Sequence, residues 1–133
     1  LRLKQDLYSG HLKLNGEENC KTLMAASNYA NSLVNIKRFE DAKALLRKSV
    51  PTARRVLGEN DQLTLKMRKI YARALYEDAS ATLDDLREAA VTLGEMARIA
   101  RRVFGGAHPT TGGMEYHLRI AMRAALRARG GNG

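Results

Sequence analysis

The 133-residue sequence is poor in the residues that hold disulfide-linked and β-rich proteins together. It has one cysteine, Cys20, no tryptophan, and only five tyrosines and two phenylalanines. A lone cysteine cannot form an intramolecular disulfide, and Cys20 has no cysteine or histidine partner at metal-ligand spacing. We therefore interpret Cys20 as structural and expect a reducing, cytoplasmic location. A hydrophobic content of 44% with so few aromatics favours one helical domain over a β-sandwich.

Long apolar segments are also missing. No run approaches the roughly 18 residues of a membrane span, and the N-terminus lacks the basic and then apolar layout of a signal peptide. We expect a soluble protein with no membrane partner. Because the chain opens on Leu1 and closes on Gly-Gly-Asn-Gly, we also expect it to be a segment of a longer polypeptide.

Positive charge is in excess and is unevenly distributed. The formal net charge is +9, from 23 basic and 14 acidic side chains. Residues 1–57 hold 11 basic and 5 acidic side chains, residues 58–97 hold 5 and 8, and residues 98–133 hold 7 and 1. A positive field at both ends of the chain favours acidic partners by electrostatic steering.

A short pattern of glycine and threonine occurs three times. In each copy the threonine follows the glycine by six residues, and the pairs are Gly16/Thr22, Gly58/Thr64 and Gly105/Thr111. The glycines are 42 and 47 residues apart, so the second interval carries five extra residues, which sequence matching places between Tyr76 and Asp85. We interpret these residues as a tolerated surface excursion rather than a binding loop. The spacing indicates an internal repeat.

Each interval between the glycines is predicted to be a pair of helices. In the first interval, apolar residues follow helical spacing from Leu23 to Leu33 and again from Phe39 to Leu57. The second interval repeats both stripes, from Met67 to Leu75 and from Leu86 to Phe104. Stacked helix pairs build a solenoid with a continuous core, so the predicted fold class is all-α.

The predicted organisation follows from these intervals. It comprises the second helix of a preceding repeat at 1–15, a first repeat at 16–57, a second repeat with the insertion at 58–104, the first helix of a third repeat or a C-terminal cap at 105–129, and a flexible tail at 130–133. Thr82 and Asp85 predict an N-terminal cap. Pro51 lies deep in a predicted helix and should bend it near Ser49 without ending it.

The repeat resembles the tetratricopeptide family. The closer resemblance is to the variety found in kinesin light chains, whose repeat length equals the 42-residue first interval. The linker of that variety reads Leu-Gly, two residues, His-Pro, one residue, Thr. Here Phe104, Gly105, His108, Pro109 and Thr111 reproduce it closely. The resemblance covers about residues 16–129 and implies an α-α superhelix, a solenoid of antiparallel helix pairs that serves as an interaction scaffold.

Residue constellations typical of enzymes are not found. His11, His108 and His117 have no acid or nucleophile partner at a motif spacing, and the glycines lack the Gly-Lys-Thr/Ser ending of a phosphate-binding loop. Carboxylate pairs such as Glu17/Glu18 sit at predicted helix starts, where they complement the helix dipole. We predict no catalytic residue, no cofactor and no metal.

The resemblance also implies which side chains bind a partner. In tetratricopeptide arrays the first helix of each repeat lines a concave groove that holds a peptide. The groove positions, counted from each repeat threonine, are Ser27, Asn31, Asn35, Lys66, Lys69, Arg73, Tyr116 and Arg123, with Met24, Glu77 and Ile120 at equivalent places. Asn31 beside Lys69 and Arg73 suits an acidic peptide or a terminal carboxylate, through charge-assisted hydrogen bonds. These groove residues match only part of the Lys/Asn/Asn/Lys/Arg set with which co-chaperones of this family bind a terminal carboxylate.

Alternative interpretations of the basic residues stay open. A solvated helix face accounts for Lys66 and Lys69 as well as a groove does. Two basic pairs lie near predicted helix C-termini, Arg54/Arg55 and Arg101/Arg102. We interpret both pairs as structural rather than as a nucleic-acid patch. A stripe from Arg119 to Arg127 could meet nucleic acid, but the poverty of aromatics makes that the weaker interpretation.

A second class of function is self-association or intramolecular docking. A short helical array exposes apolar faces at its ends that normally meet another repeat. Homo-oligomerisation through those ends is therefore the alternative to binding a peptide.

Overall fold

All regular structure in the computed structural model, which describes residues 1–131, is α-helical. The helices are α1 (Arg2–Asn15), α2 (Cys20–Asn35), α3 (Phe39–Val56), α4 (Gln62–Tyr76), α5 (Leu83–Phe104) and α6 (Pro109–Gly131). The all-α prediction is confirmed. Within residues 1–131, no helix combines the length and apolar composition needed to cross a membrane.

The chain divides into two compact units, Leu1–Tyr71 and Ala72–Gly133, and the division falls inside α4. In the first unit α2 packs against both α1 and α3, and in the second unit α5 packs against α6. Each of these pairs is joined by a short connection, so its two helices run antiparallel.

The core of the first unit is built from large aliphatic side chains and small alanines. Leu23 and Leu33 of α2 and Leu46 of α3 are at most 1% exposed. Burying each such side chain contributes about 1.5–3 kcal/mol relative to exposure. Ala30 and Ala42 are fully buried, and their small side chains let α2 and α3 approach closely.

The second unit repeats this composition with methionines. Leu93 and Met96 of α5 are fully buried, and Met114 of α6 is 2% exposed. Ala89 and Ala121 are also fully buried, one on each of the two helices. Unbranched methionine side chains fill the irregular space that remains between packed helices.

The repeated glycines begin the connections between helices. Gly16, Gly58 and Gly105 have φ values of 81°, 96° and 91°, a left-handed conformation that is costly for any residue with a side chain. In each copy the glycine N–H donates to a carbonyl four residues earlier, and the acceptors are Leu12, Arg54 and Arg101. The glycines therefore end α1, α3 and α5 in the same way.

The repeated threonines tie the next helix to the end of the previous one. Thr22 donates from its hydroxyl to the carbonyl of His11 over 3.1 Å, and Thr64 donates to the carbonyl of Ala53 over 3.3 Å. Thr22 is 2% exposed and Thr64 is fully buried. The hydroxyl is thus satisfied inside the core, where an unpaired one would be costly.

Local signals in the sequence also have clear outcomes. Thr82 and Asp85 form a complete capping box at the start of α5, with side chain to backbone distances of 3.1 and 3.0 Å, so the predicted cap is confirmed. Helix α3 continues through Pro51 to Val56, as predicted. The hydroxyl of Ser49 donates to the carbonyl of Leu45 over 2.9 Å, a pattern that often bends helices.

Helix α6 begins at Pro109 and contains Gly112 and Gly113, two residues of low helix propensity. Proline is favoured at the first helical position because its missing N–H has no partner there anyway. The helix also continues to Gly131, into the predicted tail, whose positions 132 and 133 lie outside the described residues.

Candidate functional site

The predicted groove residues of α2 differ in exposure. Ser27 is only 1% exposed, and its hydroxyl has no hydrogen-bond partner among the described residues. This corrects the expectation of an exposed side chain, since Ser27 lies on the face of α2 that forms the core. Asn31 is half-buried, and Asn35 is exposed as the last residue of α2.

The part of α4 that belongs to the first unit carries two predicted groove cations. Lys66 is exposed and Lys69 is half-buried. Within the described part of the chain, the Lys66 ammonium has no carboxylate within the 4.0 Å of an ion pair. Lys66 is thus a charge that a ligand could neutralise.

Arg73, in the second unit, already has an acidic partner. Its Nε lies 2.6 Å from Oε2 of Glu77, one helical turn further on, and its Nη2 lies 3.4 Å from Oε1 of the same carboxylate. The Arg73 side chain is only 18% exposed. The sequence analysis counted Arg73 and Glu77 as groove positions and treated Arg73 as a cation available to a ligand, without predicting the ion pair between them.

Beside this ion pair, the second unit holds a cluster of aromatic rings. The hydroxyl of Tyr76 and Nδ1 of His117 share a hydrogen bond of 2.5 Å. The ring of Tyr116 meets the ring of His117 edge-on, with centroids 5.2 Å apart, and Tyr116 is 55% exposed. The predicted contact residue Tyr116 is therefore supported by a ring that α4 holds in place.

The Tyr76 hydroxyl is strongly affected by its surroundings. Burial is the main cause that raises its pKa above the usual value, and the nearby Glu77 carboxylate raises the pKa further, whereas Arg73 acts in the opposite direction. The hydroxyl therefore keeps its proton to high pH. Sequence reasoning missed both Tyr76 and His117, because 41 residues separate them and no periodic signal connects them.

Helix α6 presents arginines at four-residue spacing. Arg119, Arg123 and Arg127 are all exposed, and residues four apart share one face of a helix. Among the described residues, no carboxylate lies within ion-pair distance of Arg123. The predicted contact residue Arg123 is thus solvent-facing and available to an anion.

The repeated basic pairs at helix C-termini form ion pairs with the neighbouring turns. Arg54 lies 2.6 Å from Glu59, and Arg101 lies 2.7 Å from Glu115. Arg55 lies 2.6 Å from Glu18, which precedes it by 37 residues. Three of these four arginines are therefore neutralised locally, which supports the structural interpretation over a nucleic-acid patch.

Comparison with known proteins identifies part of the chain. Residues 22–63 match the family model described as "Tetratricopeptide repeat". The match begins at Thr22 inside α2, includes all of α3, and ends just inside α4. Its length of 42 residues equals the spacing of the first two repeat glycines. The chain has no significant match among curated proteins or among solved structures.

Proposed function

Because residues 22–63 form a tetratricopeptide repeat, a scaffold for protein–protein interaction and not a catalytic fold, we propose that the chain binds an acidic peptide segment of a partner protein. The peptide contacts the first helix of each predicted repeat, and these helices are α2, α4 and α6. In the first unit the contacts come from Asn31, Asn35, Lys66 and Lys69, and in the second unit from Tyr116 and Arg123. The proposal includes no cofactor and no reaction, and a cytoplasmic location stays a prediction.

The exposed and unneutralised cations carry this proposal. Lys66 and Arg123 occupy predicted groove positions, and neither has a carboxylate at ion-pair distance in the described chain. In contrast, Arg73 is matched by Glu77. A carboxylate that replaces water around Lys66 or Arg123 forms a charge-assisted hydrogen bond, each worth about 1.5–3 kcal/mol net.

The uncharged members of the set supply the contacts that orient a peptide. An asparagine side chain offers both donors and an acceptor to peptide backbone, which suits Asn31 and Asn35. Tyr116 combines a large apolar ring with a polar hydroxyl and loses little conformational entropy on binding, which is typical of interface residues. Asn35 and Tyr116 are exposed in the unbound chain.

Peptide selection followed by mutagenesis tests the proposal. The intact chain is used to select binders from a random peptide library, and we expect enrichment of aspartate and glutamate. Replacing Lys66 and Arg123 together with alanine should then weaken binding of a selected peptide on the order of a hundredfold, more at low salt than at high salt. The affinity is measured by fluorescence anisotropy.

A matched control separates local contacts from long-range attraction. Arg47→Ala with Arg102→Ala removes the same charge from exposed positions on α3 and α5. If the two double variants lose affinity equally, net charge explains binding and the groove assignment is wrong. Arg73→Ala should cost less than Lys66→Ala, because Glu77 already neutralises Arg73.

Self-association is the second candidate function, and exposed leucines favour it. Leu3 and Leu14 of α1 are 71% and 85% exposed, and Leu126 of α6 is 58% exposed. Isolated exposed apolar residues are normal, but several on one helix often mark an interaction surface. Sedimentation velocity over a wide concentration range tests this candidate, and a strict monomer would contradict it.

A further inference from the structure

An open groove lies between α1 and α2 in the first unit. Its volume is about 430 Å³. The lining residues, all from these two helices, are Lys4, Leu7, His11, Lys21, Met24, Ala25 and Asn28. Met24 is also one of the groove positions named in the sequence analysis, whereas the other six lie outside the predicted peptide-binding surface.

The middle of the groove is apolar and exposed to solvent. Leu7 is 50% exposed and Met24 is 52% exposed, with the half-buried Ala25 beside them. Helix α1 has no buried residue at all, so its apolar face is only partly covered by α2. A ligand that brings apolar side chains would remove this surface from water, and the flexible Met24 can adapt to its shape.

The two ends of the groove are positively charged. The backbone carbonyl of His11 accepts the hydroxyl of Thr22, so His11 and Lys21 lie at the same end of the antiparallel pair. Lys4 and Asn28 lie at the other end, seven residues along each helix. Seven helical residues rise about 10 Å, which is two turns of an α-helix.

No carboxylate neutralises these lysines. All seven lining residues are neutral or basic, and within the described chain neither Lys4 nor Lys21 has a carboxylate at ion-pair distance. Glu18, which precedes Lys21 by three residues, pairs with Arg55 instead. The groove therefore combines an apolar middle with uncompensated positive ends.

We propose that this groove docks an amphipathic helix of a partner protein, with apolar residues on one face and acidic residues about two turns apart. The apolar residues cover Leu7 and Met24, and the acidic residues meet Lys4 and Lys21. A third helix packs naturally into the groove between two antiparallel helices.

Other occupants fit these observations less well. A second copy of the chain, with its net charge of +9, would bring further positive charge towards Lys4 and Lys21. Nucleic acid would leave the apolar middle uncovered. A flat bilayer surface cannot enter the space between the two helices.

The test uses a designed amphipathic peptide of about four helical turns, or roughly 14 residues, with leucines between glutamates that are about two turns apart. Two further probes have lysine in place of glutamate, or the same composition in scrambled order. We expect the intact chain to bind the glutamate peptide only, with a gain in peptide helicity measured by circular dichroism.

Charge reversal then locates the site. Lys4→Glu with Lys21→Glu should weaken binding of the glutamate peptide at least roughly tenfold and should create binding of the lysine peptide. Arg47→Glu with Lys48→Glu makes the same charge change at exposed positions of α3 outside the groove and should leave both affinities within about twofold of the intact chain. Leu7→Ala with Met24→Ala should also weaken binding, by roughly tenfold, through lost apolar contact.

Several results would overturn the proposal. Equal losses in the two charge-reversed variants would show steering by net charge, and binding of the scrambled peptide would show that no helix is recognised. If the intact chain self-associates and the variant Leu7→Ala with Met24→Ala does not, the groove is occupied by a second copy of the chain. Binding to anionic vesicles, but not to the glutamate peptide, would assign the groove to lipid. Lys66→Ala with Arg123→Ala should leave this binding intact, so failure here and failure of the proposed function are distinguishable.

Discussion

The side-chain hydroxyl of Thr111 donates a 2.7 Å hydrogen bond to the carbonyl oxygen of Gly105, the residue that ends α5. Thr64 and Thr22 donate to carbonyls eleven residues earlier, those of Ala53 and His11. In all three copies a buried threonine of one helix holds a backbone carbonyl near the end of the preceding helix. The repeated glycine and threonine thus act together, since the glycine ends one helix and the threonine positions the next.

Thr64→Val should lower the free energy of unfolding by about 1 kcal/mol. Valine has nearly the shape of threonine, so the fully buried position stays filled while the hydrogen bond to Ala53 is lost. Urea denaturation followed by circular dichroism measures the change. Thr92→Val is the control, because Thr92 is half-buried within α5 and its hydroxyl makes no bond in the described chain. Equal destabilisation of both variants would refute a role for the Thr64 hydrogen bond.

Gly58→Ala should destabilise the chain by roughly 1–2 kcal/mol, because an alanine side chain is strained in the left-handed conformation. Gly58 has a φ of 96°, and a Cβ added there meets no atom within 4 Å, so backbone strain alone is measured. Gly10 lies inside α1, and a Cβ added there also meets no atom within 4 Å. Gly10→Ala should therefore stabilise the chain by up to about 1 kcal/mol. Thermal unfolding compares the two, and a stabilised Gly58→Ala variant would contradict the account of the turn.

Tyr76→Phe should reduce the loss of stability at alkaline pH. The folded chain holds the Tyr76 proton to higher pH than the unfolded chain, because burial raises the pKa of this hydroxyl. The contribution of the Tyr76 hydroxyl to the free energy of unfolding is fully present below the pKa of about 10 in the unfolded chain. This contribution declines as pH rises through the pKa in the folded chain. The unfolding temperature of the intact chain should therefore fall more steeply above about pH 10 than that of the variant.

The alkaline slope of the Tyr76→Phe variant is compared with the slopes of the intact chain and of a Tyr8→Phe variant. Burial, with a smaller effect of Glu17, also raises the pKa of Tyr8, so part of the alkaline slope should persist in the Tyr76→Phe variant. Tyr8→Phe measures that part. If Tyr76→Phe has the same slope as the intact chain, the hydroxyl does not retain its proton in the folded state.

Much of the helical organisation was predictable because its signals are local or periodic. Apolar spacing identified the helices, and the glycine spacing identified the repeat that the family model matches at residues 22–63. The capping box of Thr82 and Asp85 depends on residues only three positions apart. An interaction between residues so close in sequence can be predicted from a short segment, because that segment contains both partners.

The start of α6 shows where local propensity is overridden. Gly112 and Gly113 disfavour a helix, but Pro109 at the first helical position and the buried side chains of Thr111 and Met114 on the next turns favour one. Packing against α5 outweighs the cost of two glycines, and propensity alone contains no information about that packing.

The availability of the candidate site residues depended on the tertiary structure more than the helical organisation did. The sequence determined by itself that this chain forms pairs of helices with a cationic excess, and that residues 22–63 form a repeat of tetratricopeptide type. Only the folded chain decided that Ser27 is buried, that Arg73 is neutralised by Glu77, and that Tyr76 meets His117. Availability of a side chain depends on which residues surround it in space, and those residues come from distant positions that no local or periodic pattern specifies.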